Sequence, residues 1–287
     1  MLKPEGCLQD NSYLWLLKLD MKSKITGGLA EKILSLKVMG KYEVDYFRCE
    51  ETGFIQTVEP YWLEEAYSSA ITKLDVGLPE RNETLRNKII PILSNHFNAE
   101  GIFLDFAGGY GLFTRMMRDK GFNFYHTDKH CPNLFAEFFD LVDIKQENFE
   151  LVTAFEVFEH LPNPIPEIEA ILKYSDNLFF TTVLPPNELK ELKQWWYLIP
   201  ETGQHISFYS AKSLQYIADR FGRNFYTDGL STHLFTKKKL TLNPFTEQKI
   251  PFLIRTMKRK VDRYFRKVYG RESLLQKDWQ EIKDKLS

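Results

Sequence analysis

The chain has 287 residues, 43% hydrophobic and 27% charged, which suits one or two globular domains with a sizeable core. A net charge of −1 supplies no global field toward nucleic acid, so nucleic acid is not expected as a partner. Three scattered cysteines (Cys7, Cys49, Cys131) exclude a disulfide framework and suit a reducing, cytoplasmic setting. No apolar run approaches the roughly 18 residues of a membrane span, and nothing after Leu14–Leu17 reads as a secretory cleavage site.

Residues 1 to about 40 give a weak signal, broken at Gly27-Gly28. Tyr42, Val44 and Tyr46 alternate in Lys41–Arg48, which predicts a strand; Cys49–Gly53 turns it and Phe54–Val58 returns as a hairpin. Residues 60–97 predict helix in two pieces, split at Gly77-Leu78-Pro79. In the second piece Leu85, Ile89, Ile92 and Leu93 share a face, with a kink expected at Pro91. From Gly101 to Lys239 strand and helix alternate, which predicts an α/β domain with a mostly parallel sheet. Strands are expected at 102–105, 122–127, 138–141, 149–155 and 177–184, with helices at 112–120, 166–174 and 211–221. Arg223–Thr227 and Thr232–Thr236 flank Asp228-Gly229 and read as a closing antiparallel pair. The chain thus divides into a small N-terminal appendage (1–58), a helical lead-in (59–100), a cofactor-binding domain (101–239) and a basic tail (240–287). In Lys249–Arg271 apolar residues recur at helical spacing among Lys and Arg. That segment either lies on an anionic membrane surface or packs on the domain with its charged face solvated.

The chemistry concentrates at two places. Ile102–Gly111 joins an apolar strand to a helix through Asp105, Ala107, Gly108, Gly109 and Gly111. Such a turn lets a nucleotide-like cofactor lie against bare backbone, and Asp128, at the tip of the next strand, is where a ribose diol is held. A dinucleotide fingerprint needs a third small residue where Thr114 stands. Asp-x-(Gly/Ala)-x-Gly-x-Gly instead resembles motif I of class I S-adenosylmethionine (SAM)-dependent methyltransferases. The resemblance implies a Rossmann-like fold with an antiparallel last strand. It also implies SAM against the glycine turn and Asp128 on the ribose. Ala107 departs from the motif's first glycine, and its methyl is tolerated if φ is negative there.

The second place is Glu156-Val157-Phe158-Glu159-His160, after the fourth expected strand, with His205 downstream. On a helical turn Glu156, Glu159 and His160 share one face, and two carboxylates with imidazoles suit Mg²⁺, Mn²⁺ or Zn²⁺. The pattern resembles small-RNA 3′-terminal 2′-O-methyltransferases and ubiquinone-biosynthesis O-methyltransferases. By that likeness Glu156, Glu159, His160 and His205 hold a divalent ion, Mg²⁺ or Mn²⁺, that grips a substrate hydroxyl. Glu-His-Leu-x-x-Pro also occurs in methyltransferases without metal, where the histidine caps the turn or acts as a base.

Residues 41–240 further resemble bacterial methyltransferase-domain proteins related to those of cell-surface glycan clusters. Cys49 stands where those relatives begin a zinc-knuckle pair, but Thr52 takes the partner position. The resemblance makes Tyr67, Arg81, Trp195, Trp196 and Tyr209 candidates for cofactor or substrate contact. It implies methyl transfer to a hydroxyl of a sugar or other small metabolite, with His160, His205 and Glu156 as the catalytic candidates. The alternatives are transfer to nitrogen or carbon, an NAD-dependent enzyme, and a non-catalytic module that keeps the fold.

Overall fold

A computed structural model describes residues 21–68, 74–246 and 271–286. The expected basic amphipathic segment, apart from Arg271, lies outside these residues, as do Cys7 and Leu14–Leu17. Among the described residues no helix is long and apolar enough to cross a membrane.

The first sheet is antiparallel: β1 (Met21–Lys22), β2 (Leu29–Val38), β3 (Tyr42–Cys49), β4 (Ile55–Thr57) and the distant β9 (Ser207–Phe208), in that spatial order. β3 follows its alternation, with Val44 and Tyr46 inside. Met39 and Gly40, both at positive φ, make the tight turn that pairs β2 with β3. Because β9 comes from beyond the central domain, the N-terminal strands and residues 203–208 share one core. Trp62, in the lead-in just before α1 (Leu63–Ala66), donates from Nε1 to the Gly203 carbonyl at 2.8 Å and joins that core.

The second sheet has the order β10-β11-β8-β7-β5-β6, from β5 (Ile102–Phe106), β6 (Asn123–Thr127), β7 (Leu151–Ala154), β8 (Asn177–Thr181), β10 (Asn224–Thr227) and β11 (Thr232–Thr236). β6, β5, β7 and β8 run parallel, and β11 is antiparallel to β8 and β10. Both faces are covered, so neighbouring apolar residues serve opposite cores. Phe103, Leu151, Phe179 and Leu234 meet α2 (Leu78–His96) and α3 (Leu112–Arg118). Leu104, Val152, Phe180 and Phe235 meet α4 (Pro164–Leu172) and α6 (Ala211–Arg220). Ser210 caps α6 by accepting from the Ser213 N–H at 3.0 Å. Short α5 (Leu189–Leu192) carries the chain toward β9.

The strand expected at 138–141 does not form. Phe138 is left-handed at φ +69°, which breaks extended backbone, and only one parallel bridge, His126 with Asp140, remains. The helix expected from Pro166 begins at Pro164. On the far side of α3, the C-terminal helix Leu275–Leu286 docks through Asp278. This buried carboxylate accepts from Arg118 at 2.8 and 2.7 Å and meets Arg115 at 2.8 Å.

Candidate functional site

The site lies at the C-terminal edge of the parallel strands, where β5 and β7 end side by side. Asp105 is 1% exposed and lies beneath the glycine turn rather than on its surface. Its Oδ1 accepts from Thr153 at 2.7 Å and its Oδ2 from Thr114 at 3.2 Å. Thr114, which breaks the dinucleotide pattern, therefore anchors α3 to the motif's acid. Burial pushes the Asp105 carboxyl up to about 6. Asp105 thus holds the turn from beneath through Thr114 and Thr153.

A side chain at Gly108 would meet Asp105 Oδ2 at 2.4 Å and His126 Cδ2 at 2.8 Å. One at Gly111 would meet Asn133 Oδ1 at 2.2 Å, and φ there is +81°. Bare backbone is required at both positions because Asp105, His126 and Asn133 of the protein itself fill the space a side chain would take. The Gly109 N–H donates to Asp128 Oδ2 at 2.9 Å, and Asp128 Oδ1 accepts from the N–H groups of His130 and Cys131 at 2.6 and 2.8 Å. Asp128 keeps only part of its acceptor capacity for a diol. The condition on which the Ala107 methyl is tolerated without strain, a negative φ, is not met: the angle is +54°. An alanine in the left-handed region costs about 1–2 kcal/mol, so the surrounding bonds hold the turn against that strain.

Beside the turn, Glu159, His160 and His205 each present a ligand atom, all within 4.8 Å of one another. His160 and Glu159 come from the short turn Phe158–His160, and His205 from the loop before β9. The Ile206 N–H bonds the Glu159 carbonyl at 2.9 Å and ties the two segments together. His160 Nδ1 lies 3.1 Å from the Gln204 carbonyl and His205 Nδ1 2.7 Å from the Tyr197 carbonyl. A carbonyl only accepts, so each Nδ1 carries the proton and each Nε2 keeps a lone pair. Burial, joined by the neighbouring His205, lowers His160 to about 3; burial lowers His205 to about 4. Both rings are neutral at neutral pH, as ligation requires. Glu159 is fully buried, and neither carboxylate oxygen makes a hydrogen bond of good geometry, although the Tyr197 and Thr182 hydroxyls lie close enough to favour its charged form. Burial and the nearby Glu156 push it well above the ordinary carboxylate range. An orphaned carboxylate facing two imidazole lone pairs fits a divalent cation.

Glu156 does not join this cluster, contrary to the four-ligand expectation. It is left-handed at φ +52°, which takes it out of the turn that places Glu159 and His160. Its carboxylate instead accepts from Thr181 Oγ1 at 2.7 Å and Tyr197 OH at 3.0 Å. Tyr67 stacks on His130 at 5.1 Å and meets His160 edge-on at 6.1 Å, bridging the loop after Asp128 and the cluster. Arg81 forks onto Asp75 at 2.9 and 2.7 Å. Trp196 is 69% exposed beside Tyr197, whereas Trp195 packs into the small sheet. Tyr209 is core: it is fully buried and donates to the Phe158 carbonyl at 3.0 Å. Cys49 is likewise core, its thiol 3.6 Å from Thr26 Oγ1, and it belongs to no metal-type cluster among the described residues. Sequence reasoning missed Thr114, Thr153, Thr181, Tyr197 and His126. Hydroxyls within or beside apolar runs give no signal until the strands align.

A methyltransferase-domain family matches residues 79–226, just over half of the chain. No curated protein sequence matches it. Among solved structures, it is similar to a magnesium protoporphyrin IX methyltransferase from Synechocystis PCC 6803 with bound S-adenosylhomocysteine (SAH). That pair shares 12% identity over 62% of this chain and 95% of the other, at a TM-score of 0.41. A second is an O-methyltransferase family 2 protein from Planctomyces limnophilus in complex with apigenin (11% identity, 55% and 62% covered, TM-score 0.39). A third is a methyltransferase from Thermotoga maritima described as a possible histamine N-methyltransferase (13% identity, 57% and 96% covered, TM-score 0.40).

Proposed function

We propose that this chain, which belongs to the methyltransferase-domain family and is a class I SAM-dependent methyltransferase, transfers methyl to a hydroxyl of a sugar or other small metabolite. The observation that carries the hydroxyl is the Glu159–His160–His205 cluster beside the cofactor turn. A neutral amine offers its lone pair to an electrophile directly, whereas a hydroxyl must shed a proton as it attacks. The cluster supplies groups for that task.

Glu159, His160 and His205 would hold a divalent ion. Two imidazoles make the set softer than the all-oxygen sets Mg²⁺ takes, which favours Mn²⁺, Fe²⁺ or Zn²⁺ over the Mg²⁺ of the first expectation. When bound, such an ion acts as a Lewis acid that lowers the pKa of a coordinated hydroxyl. The remaining work belongs to the protein. The glycine turn receives the cofactor, and Asp128 orients its ribose. Tyr67, between His130 and His160, covers the junction of the two halves and limits water there. Glu156, fixed by Thr181 and Tyr197, presents a carboxylate that would suit the positive sulfonium of the cofactor. In-line alignment of the acceptor oxygen with the methyl carbon is the main contribution to rate.

The test is calorimetry with SAH, followed by transfer of labelled methyl from SAM to a panel of hydroxylated sugars and phenols, with and without Mn²⁺ or Zn²⁺. Metal-dependent labelling of hydroxyl acceptors is expected. Labelling of amines alone would replace the hydroxyl reading, and no SAH binding at millimolar ligand would favour a non-catalytic module.

A further inference from the structure

His126 is the one buried imidazole packed against the cofactor turn among the described residues, and no expectation assigned it a role. It is 1% exposed, on the face of β6 that supports Gly108. Its Nδ1 lies 2.8 Å from Asp140 Oδ1 and its Nε2 lies 2.9 Å from the Gly109 carbonyl. Both partners accept and neither can donate, so an imidazole satisfies them together only when each ring nitrogen carries a hydrogen. Two carboxylates face that ring, Asp105 from β5 and Asp140 from the loop after β6, and Asp128, at the end of β6, takes the N–H of the same Gly109. Asn133 donates to the same Asp140 oxygen at 3.0 Å and holds it in place. Gly109 is left-handed at φ +60°, and a glycine has little intrinsic preference for that shape. With its N–H on Asp128 and its carbonyl on His126, both of its polar groups are fixed by protein.

We propose that His126 is a positioning residue for the cofactor: as an imidazolium, it clamps the Gly109 carbonyl to Asp140 and holds the glycine turn in its binding shape. The proposal rests on the reading of Ala107–Gly111 as the cofactor turn.

Two measurements on the full chain test this. Nitrogen-15 NMR of histidine-labelled protein at pH 7 reads both ring nitrogens directly, and hydrogen on both is expected; a single-protonated, neutral His126 ring would overturn the proposal. SAH affinity is then compared between wild type and His126→Gln, with melting curves to confirm folding. Wild type should bind about tenfold tighter, the worth of a charge-assisted bond. A ratio near one defeats the clamp. If SAH binds neither protein, the cofactor reading has failed, and the NMR still decides the state of His126.

Discussion

The glycine turn and the Glu159–His160–His205 cluster sit at the ends of neighbouring strands, yet their polar atoms are satisfied in opposite ways. Around the turn, Asp105 bonds Thr114 and Thr153, Asp128 bonds three backbone N–H groups, and His126 bonds Asp140 and Gly109. In the cluster, the fully buried Glu159 makes no hydrogen bond of good geometry on either oxygen, and both imidazoles direct their Nδ1 protons away to carbonyls. The protein organises the turn by itself and keeps it strained only at Ala107. The cluster holds a carboxylate at a cost that a cation or a proton must offset. The turn is thus completed by the protein's own bonds, while the cluster is left with donor atoms to spare.

The largest effect should test whether the cofactor half is self-contained. Asp278→Ala leaves Arg118 buried without its carboxylate and should cost about 3–5 kcal/mol in denaturant unfolding. A cost near zero would show that the C-terminal helix is not part of that half's support. Next, His205→Ala should weaken Zn²⁺ or Mn²⁺ binding at least about a hundredfold, roughly 2.7 kcal/mol, in chelator competition while SAH affinity stays within about twofold. Equal losses for both ligands would erase the distinction between the halves. Glu159→Met, which replaces the orphaned carboxylate with an apolar group of similar size, should stabilise the metal-free protein by about 1–3 kcal/mol. A destabilised Met variant would mean the carboxylate is already satisfied. Ala107→Gly should stabilise by about 0.5–1 kcal/mol, since relief of the left-handed angle is partly offset by unfolded-state entropy.

The smallest effect concerns a turn outside both halves. Asp228 Oδ1 accepts from the N–H groups of Leu230, Ser231 and Thr232, and those bonds outweigh burial to hold its carboxyl well below the ordinary range. Its folded value is depressed, so the stability it contributes is complete above the unfolded carboxylate value of about 4 and is lost as pH falls below it. Asp228→Asn should remove that part of the acid slope in melts between pH 7 and pH 3. An unchanged slope would show that Asp228 keeps its proton equilibrium on folding.

The cofactor half was legible because its residues lie close together in sequence. Asp105 to Gly111 and Asp128 are tied to strand ends that apolar runs already mark. Ala107 was identified as the departure, but its angle was not legible, because φ depends on how β5 meets the Asp105–Thr114 network. In the other half the residue types were legible and their grouping was not. Spacing placed Glu156 with Glu159 and His160 on a helical turn, but Val157 begins a tighter turn and Glu156 swings toward Thr181 on β8. Phe138 shows the same limit: an apolar run promised a strand that a left-handed residue prevents.

Sequence alone determined the alternation of strands and helices and the candidate donors, since periodicity, turn glycines and side-chain chemistry are local properties, while the cofactor class came from the resemblance of its glycine motif. Tertiary structure decided which donors converge. His205 reaches Glu159 because β9 closes a sheet begun more than a hundred residues earlier, and Asp105 serves the turn because β7 brings Thr153 beside it. Those outcomes depend on long-range strand pairing and burial, which no window of sequence contains.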